Sequence, residues 1–265
     1  MIKTFDIFFI LVALVVFIVG LNRRFRLWRV GKNVEPSGSM GARIRSFLWE
    51  GIAHRRILQE FYPGLLHLFL FLGFLVPLIV VMITQFMFTL PPSIARPLSL
   101  VLDLFALAAL TSVILFIYRR YITRPPRLDN RTDDLSALVL IFLILLTGIL
   151  LESLRVSVIG KDATVWAPVG RSLAALINTF GLSTSAKGVM AMIVFRIHFF
   201  LVLTTFAAIP YSRLFHIISS PMNMLFRPLE PKGILSHLDL EDEEAESFGV
   251  SKIEEFTWKQ LMDLD

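Results

Sequence analysis

Two histidines, His198 and His216, stand 18 residues apart in FRIHFFLVLTTFAAIPYSRLFH, with mostly apolar residues between them. On an unbroken helix that spacing is about five whole turns, so both imidazoles share one face, roughly 27 Å apart along the axis. An ionisable or ligating side chain inside a membrane is costly enough to mark function, and imidazole is an axial ligand of haem iron. Two such ligands on one transmembrane face read as a path for electrons.

A haem held between two helices needs a second ligand from another span. The other histidines are His54, His67 and His237. His237 sits in a polar tail, in SHLDL, and carries little weight. His54 and His67 lie in HRRILQEFYPGLLHLFLFLGFLVP, 13 residues apart, which on an ideal helix is about 19.5 Å and about 220°. They share a face only if Pro63, between them, kinks or starts the helix. Antiparallel order pairs His54 with His216 and His67 with His198, giving two bis-histidine haems. Depth alone pairs His67 with His216, leaves His198 with another partner or an open position, and makes His54, beside Arg55 and Arg56, an interfacial residue. Spacing leaves both pairings open.

Charged residues at the spans add to the constellation. Arg196 lies two residues before His198 and Arg213 three before His216. A guanidinium pairs a carboxylate through two parallel hydrogen bonds, so both arginines are candidates to anchor haem propionates. For Arg213 a snorkelling interfacial cation is an equal reading. Asp103, in the outward part of the third span, either pairs with Arg196 across helices or takes protons from a quinol, the pairing being preferred. Gly64 and Gly73 flank His67 and either admit a flat macrocycle or serve ordinary helix contacts.

These residues must be positioned by membrane-embedded elements. With 55% hydrophobic residues, 24 Phe and a mean hydropathy of +0.72, the 265-residue chain is predicted to be an integral membrane protein. Cysteine is absent, which excludes disulfides, thiolate zinc sites and iron–sulfur clusters within these residues. An isoelectric point near 9.7 does not imply nucleic-acid binding, because the basic residues cluster beside apolar stretches.

Five stretches are long enough to span: Phe5 to Leu21, Pro63 to Thr89, Leu98 to Tyr118, Leu135 to Leu151 and Gly188 to Tyr211. The fold class expected is all-α, a bundle of five transmembrane helices. The first stretch has a weak basic start and no small-residue cleavage site, and runs into RRFRLWR, so it is read as an uncleaved span. Arg and Lys crowd the segment from Asn22 to Ile57 and the connection after the third span, which places those segments in the cytoplasm, the N-terminus outside and the C-terminus inside. APVGRSLAALINTFGL, before the last span, predicts an amphipathic surface helix stopped by Gly181. Residues 1–212 are read as the transmembrane domain and 213–265 as a cytoplasmic tail, in which the acidic run Asp239 to Glu246 is a solvated linker.

FRIHFFLVLTTFAAIPYSRLFHIISSP resembles the last span of the cytochrome b (gamma) subunit family of respiratory nitrate reductase, and the five-span layout is similar. In that family four histidines on two helices ligate two b-type haems between a quinol site near the outer face and a cytoplasmic iron–sulfur partner. His198 and His216 match the motif. Aligning LLHLFLFLGFLVP with the second span puts His67 on the inner ligand and Pro77 where the outer ligand is expected. EEFTWKQLMDLD is similar to the stretch that leads into a ferredoxin-like cysteine cluster in iron–sulfur oxidoreductases related to heterodisulfide reductase. Some of these pass electrons between electron-transfer flavoprotein and menaquinone.

The resemblance implies a multi-pass cytochrome b module of the inner membrane. It would carry one or two haem b on His67, His198, His216 and His54, and move electrons between menaquinone or ubiquinone and a cytoplasmic iron–sulfur domain or subunit. Membrane lipid is the other expected partner. The rival classes are a proton-linked transporter, against which stands the lack of paired halves or matched helix breaks, and a haem-free membrane anchor for an iron–sulfur partner.

Overall fold

A computed structural model describes residues 4–35, 38–86, 90–126, 128, 131–159, 165–229 and 250–264. Among them, five helices are long and apolar enough to cross a membrane: α1 (Thr4–Trp28), α3 (Phe61–Phe86), α4 (Pro92–Ile117), α5 (Thr132–Ile159) and α7 (Thr184–Ala208). The shorter α2 (Met40–Phe47), α6 (Pro168–Thr179), α8 (His216–Phe226) and α9 (Trp258–Asp263) complete the helices used below. The expected all-α class and the five apolar spans are both found. His237 and the acidic run Asp239 to Glu246 lie outside the described residues.

Local chemistry explains several helix ends. Proline at the first helical position of α4 and α6 costs no hydrogen bond, since that N–H has no intrahelical partner. Asp133 and Asp134 sit in the first turn of α5, where the helix dipole favours negative charge. Gly181 takes φ +63° just past α6, the left-handed geometry that glycine adopts at helix ends without strain. An amphipathic helix thus forms where the sequence predicts one, over Pro168–Thr179.

The chain divides into two compact units, one of residues 57–205 and one of residues 1–56 with 206–265. In the first, α3 packs on α4 and α4 on α5 around Ala109, Val113 and Leu145. Gly73 is the point of close approach: a Cβ there would collide with the side chain of Ala109 and lie 3.0 Å from the Phe105 carbonyl. A Cβ on Gly64 would run into the backbone at Ile57 and Leu58. Gly73 thus serves a helix contact with α4, and Gly64 makes room for the turn that precedes α3. A smaller cluster of Val156, Ala167 and Ala174 joins α5 to α6.

In the other unit, Trp28, Phe215, Leu261 and Met262 form a buried cluster contributed by α1, the turn before α8, and α9. The tail is tied to the end of α1 by main-chain bonds: Lys32 N–H donates to the Phe256 carbonyl (2.7 Å) and Trp258 N–H to the Lys32 carbonyl (3.0 Å). Trp258 Nε1 adds a bond to the Val34 carbonyl at 3.1 Å. On α9, Lys259 donates to Asn223 Oδ1 of α8 (3.2 Å) and pairs with Asp263. Just before α9, the N–H groups of Ser251 and Lys252 hold the Glu255 carboxyl below the ordinary carboxylate range.

One expectation fails here. The helix carrying His198 does not run unbroken to His216: α7 ends at Ala208, Ile209–Tyr211 and Arg213–Phe215 form two 3₁₀ turns, and His216 opens α8. Pro210 has no N–H to continue the ladder, and Ser212 is extended (φ −131°, ψ 178°), its hydroxyl accepting the Leu214 N–H at 3.3 Å. The shared-face argument based on five ideal turns therefore does not apply.

Candidate functional site

His198 lies in the middle of α7, half-buried, with its Nδ1 2.9 Å from Thr147 Oγ1 on α5. The Thr147 hydroxyl has one proton, and the Leu143 carbonyl at 2.6 Å and the Ile144 carbonyl at 3.1 Å are both placed to accept it. The oxygen is thus the acceptor and His198 Nδ1–H the donor, which leaves the lone pair on Nε2. Gly148, the next residue, brings α5 against the ring: a Cβ there would touch His198 Cε1 at 3.5 Å.

His216 reaches the same tautomer by another route. Its Nδ1 lies 2.7 Å from the Arg213 carbonyl, which can only accept. His54 repeats the pattern, with Nδ1 3.0 Å from the Ile52 carbonyl. A histidine that ligates through Nε2 characteristically donates Nδ1–H to an oxygen, which fixes the ring and raises its basicity. Three of the four candidate ligands are held this way, by two carbonyls and one hydroxyl, and that donor set fits axial ligation of haem iron. Among the described residues no three His, Asp or Glu side chains form a metal-binding group, so chelation by protein alone has no site there. An axial pair needs only one imidazole on each side.

The four histidines are distributed over the two units. His67 is half-buried on α3, and both it and His198 belong to residues 57–205. His216, exposed, and His54, 2% exposed, belong to the other unit. His54 is not on α3 at all: it follows a π-helical turn (Leu48–Ile52) with φ +55°, a left-handed conformation uncommon outside glycine. The angular objection to sharing a face with His67 rested on one continuous helix, and none exists.

Arg196 is half-buried, its guanidinium 5.8 Å from the Phe195 ring centroid. Arg213 is exposed at the turn before His216. Asp103 does not pair with Arg196: its carboxylate accepts the N–H groups of Val169 (2.6 Å) and Gly170 (3.1 Å) and caps α6 from α4. Backbone donors took the place of the expected cation because the first turn of a helix offers several N–H groups with no other acceptor.

Two residues were not singled out from the sequence. Thr147 was missed because a lone hydroxyl in an apolar helix normally back-bonds to its own carbonyls. Arg24 donates Nε–H to the Pro210 carbonyl at 3.1 Å and lies 5.0 Å from the Phe215 ring centroid. It satisfies an acceptor that the helix break releases. A cavity of about 420 Å³ opens among α3, α4 and α5, lined by Val80, Thr84, Leu98, Ser99, Glu152 and Arg155. In it Arg155 holds Glu152 bidentately, at 2.7 and 2.5 Å.

Five apolar spans, with His67 and His198 on two of them, are the architecture of a multi-pass membrane protein. Comparison with known proteins agrees: residues 5–231 match the nitrate reductase gamma subunit family, and the chain belongs to that family. It is 31% identical to "EtfAB:quinone oxidoreductase" of Syntrophomonas wolfei subsp. wolfei over 96% of its length and 37% of the relative's. It is 26% identical to "Probable iron-sulfur-binding oxidoreductase FadF" of Bacillus subtilis, over 95% of its length and 36% of the relative's. The chain thus spans little more than a third of these curated relatives. No solved structure matches.

Proposed function

We propose that this chain is the haem b module of an oxidoreductase that exchanges electrons between a membrane quinone, menaquinone or ubiquinone, and a cytoplasmic iron–sulfur domain or subunit. Electron-transfer flavoprotein is the soluble partner. The observation that carries this reading is the Nδ1 donation of His198 and His216, which prepares both rings to ligate through Nε2. The family membership and the names of the two relatives support it.

Haem, when bound, supplies a one-electron couple whose potential is set by its axial ligands and surroundings. His67, His198 and His216 are the proposed ligands, with His54 the fourth if two haems are present. Thr147 and the Arg213 carbonyl orient the rings, and Arg196 and Arg213 offer guanidinium groups to propionates. The cavity beside Thr84, Ser99 and the Glu152–Arg155 pair suits a quinone headgroup, with apolar walls and a few polar groups. We place the N-terminus outside and the C-terminus in the cytoplasm from the distribution of Arg and Lys, in the inner membrane. In this scheme residues 213–265 lead towards the iron–sulfur partner.

The test is a reduced-minus-oxidised spectrum of the purified protein. A b-type band is expected, and its absence would sink the reading in favour of an anchor or a transporter. His67→Ala and His216→Ala should each remove a haem signal. Haem loss in His54→Gln selects the pairing of His54 with His216, and unchanged haem selects His67 with His216.

A further inference from the structure

A second cavity, of about 850 Å³, lies in the unit formed by residues 1–56 and 206–265, between α2 and the end of α8. Its polar lining is dominated by donors. Arg45 projects from the last turn of α2, Ser46 follows it, and Arg227 comes from the residue after α8. Ser46 Oγ and Arg227 Nε are both buried and have no hydrogen-bond partner among the described residues. Buried polar groups are almost always satisfied, so two orphaned donors beside a third, flexible guanidinium call for an acceptor that no described residue supplies. The cavity's one carboxylate, Glu50, lies 3.9 Å from Arg55, which leaves the lining positive.

The same wall is apolar and open. Met40, Ile44 and Leu48 recur at four-residue spacing and are 60%, 46% and 51% exposed, and Trp49 beside them is 58% exposed. Ile44, Leu48 and Trp49 line the cavity together with the arginines. A helix with an apolar stripe, basic residues and an interfacial Trp is the pattern of an element lying at a membrane surface. Here it follows a membrane-spanning helix, α1, after eleven residues. The geometry is fixed by Arg43, 3% exposed, whose Nη1 donates to the Leu225 carbonyl at 3.0 Å and ties α2 to the C-terminus of α8.

We propose that this cavity binds a phosphate group, and that its source is the headgroup of an anionic phospholipid. Arg45, Arg227 and Ser46 donate to the phosphate oxygens, and the Met40–Ile44–Leu48 stripe lies along an acyl chain. A guanidinium matches phosphate oxygens with paired donors, and two of them confer a preference for anionic over zwitterionic lipid. A soluble phosphate would use the same donors but would leave the apolar stripe without a role.

The test reconstitutes the full chain in vesicles of phosphatidylcholine alone or with an equal part of phosphatidylglycerol. Electron paramagnetic resonance of spin-labelled lipids then reads how much of each is held at the protein. Phosphatidylglycerol should be retained over phosphatidylcholine, and Arg45→Gln and Arg227→Gln should each weaken that preference about fivefold, the effect of one basic residue at an anionic surface. Arg45 is exposed, so its variant does not depend on refolding the site. Arg227→Lys keeps the charge and should keep much of the preference. Arg29→Gln, which alters an exposed arginine outside the cavity lining, should weaken the preference clearly less than Arg45→Gln or Arg227→Gln. In a parallel arm, inorganic phosphate is added to the phosphatidylcholine vesicles and followed by ³¹P line width. Broadening that Arg45→Gln abolishes, without a lipid preference, keeps the phosphate site and reassigns its source to the soluble pool. No preference and no broadening, or an equal loss in Arg29→Gln, overturns the site.

Discussion

Thr147 Oγ1 on α5 lies 2.9 Å from His198 Nδ1 on α7, with the Leu143 and Ile144 carbonyls placed to take the hydroxyl proton so that the oxygen accepts from the ring. No residue of α7 is buried, so this bond does for His198 what close packing does for a side chain in a soluble core. It selects the tautomer and fixes the ring plane. Thr147→Val keeps the shape and removes the acceptor. Loss of such an outer partner typically lowers metal affinity about 10–100-fold. The haem-to-protein ratio should fall accordingly and the midpoint potential of the remaining haem should shift, while Thr147→Ser retains both. Unchanged haem content and potential in Thr147→Val would remove Thr147 from the site.

Asp103 is predicted to matter for stability and not for proton transfer. Asp103→Ala strands the Val169 and Gly170 N–H groups and should cost about 1–3 kcal/mol. Asp103→Asn, which still offers one acceptor oxygen, should recover part of it. Thermal melts in detergent read the effect. A changed pH profile of quinol oxidation in Asp103→Asn, with the melt unaltered, would restore the proton-acceptor role.

Arg24→Met keeps the apolar stem of the side chain and withdraws the donor from the Pro210 carbonyl. A hydrogen bond to a charged group typically contributes about 1.5–3 kcal/mol, so the turns before His216 should loosen by that order. Amide exchange at Leu214 and Phe215 measures it directly. Protection there equal to that of the unaltered protein would show that the clamp is dispensable.

Gly31 lies against the tail so closely that a Cβ would meet the Phe256 carbonyl at 2.7 Å and Trp258 N at 2.7 Å. Gly31→Ala should therefore break the two main-chain bonds at Lys32, exposing the amides of Lys32 and Trp258 to exchange. The helical circular dichroism should hardly change, because the five spans do not depend on that contact.

How far the sequence disclosed this arrangement depended on the kind of contact. The spans were legible because length and apolarity are enough to mark them, and α6 because APVG and Gly181 punctuate both its ends. The break between His198 and His216 was hidden: Pro210 and Ser212 sit in a run apolar enough to read as one helix, and only the extended backbone at Ser212 reveals the stop. Asp103 misled because a buried carboxylate suggests a cationic partner, whereas its partners are backbone N–H groups that no residue letter announces. The carbonyl that holds His216 is equally silent, being common to every residue. Thr147 did leave a letter, but its partner lies 51 residues away on another helix, beyond any local periodicity.

The pairing of Lys32 with Thr257 has a consequence for how the chain is made. Residues 57–205 close on themselves, but the unit that holds Trp28 is split by them in the order of synthesis. Chains are delivered from the N-terminus, and domains tend to fold as they emerge. Trp28 therefore emerges more than two hundred residues ahead of Leu261 and Met262, which cover it. During that interval the end of α1 presents an aromatic surface not yet covered by α9 to the translation machinery or to a chaperone. A nascent chain stalled before residue 250 should carry that surface, and one released after Met262 should have hidden it.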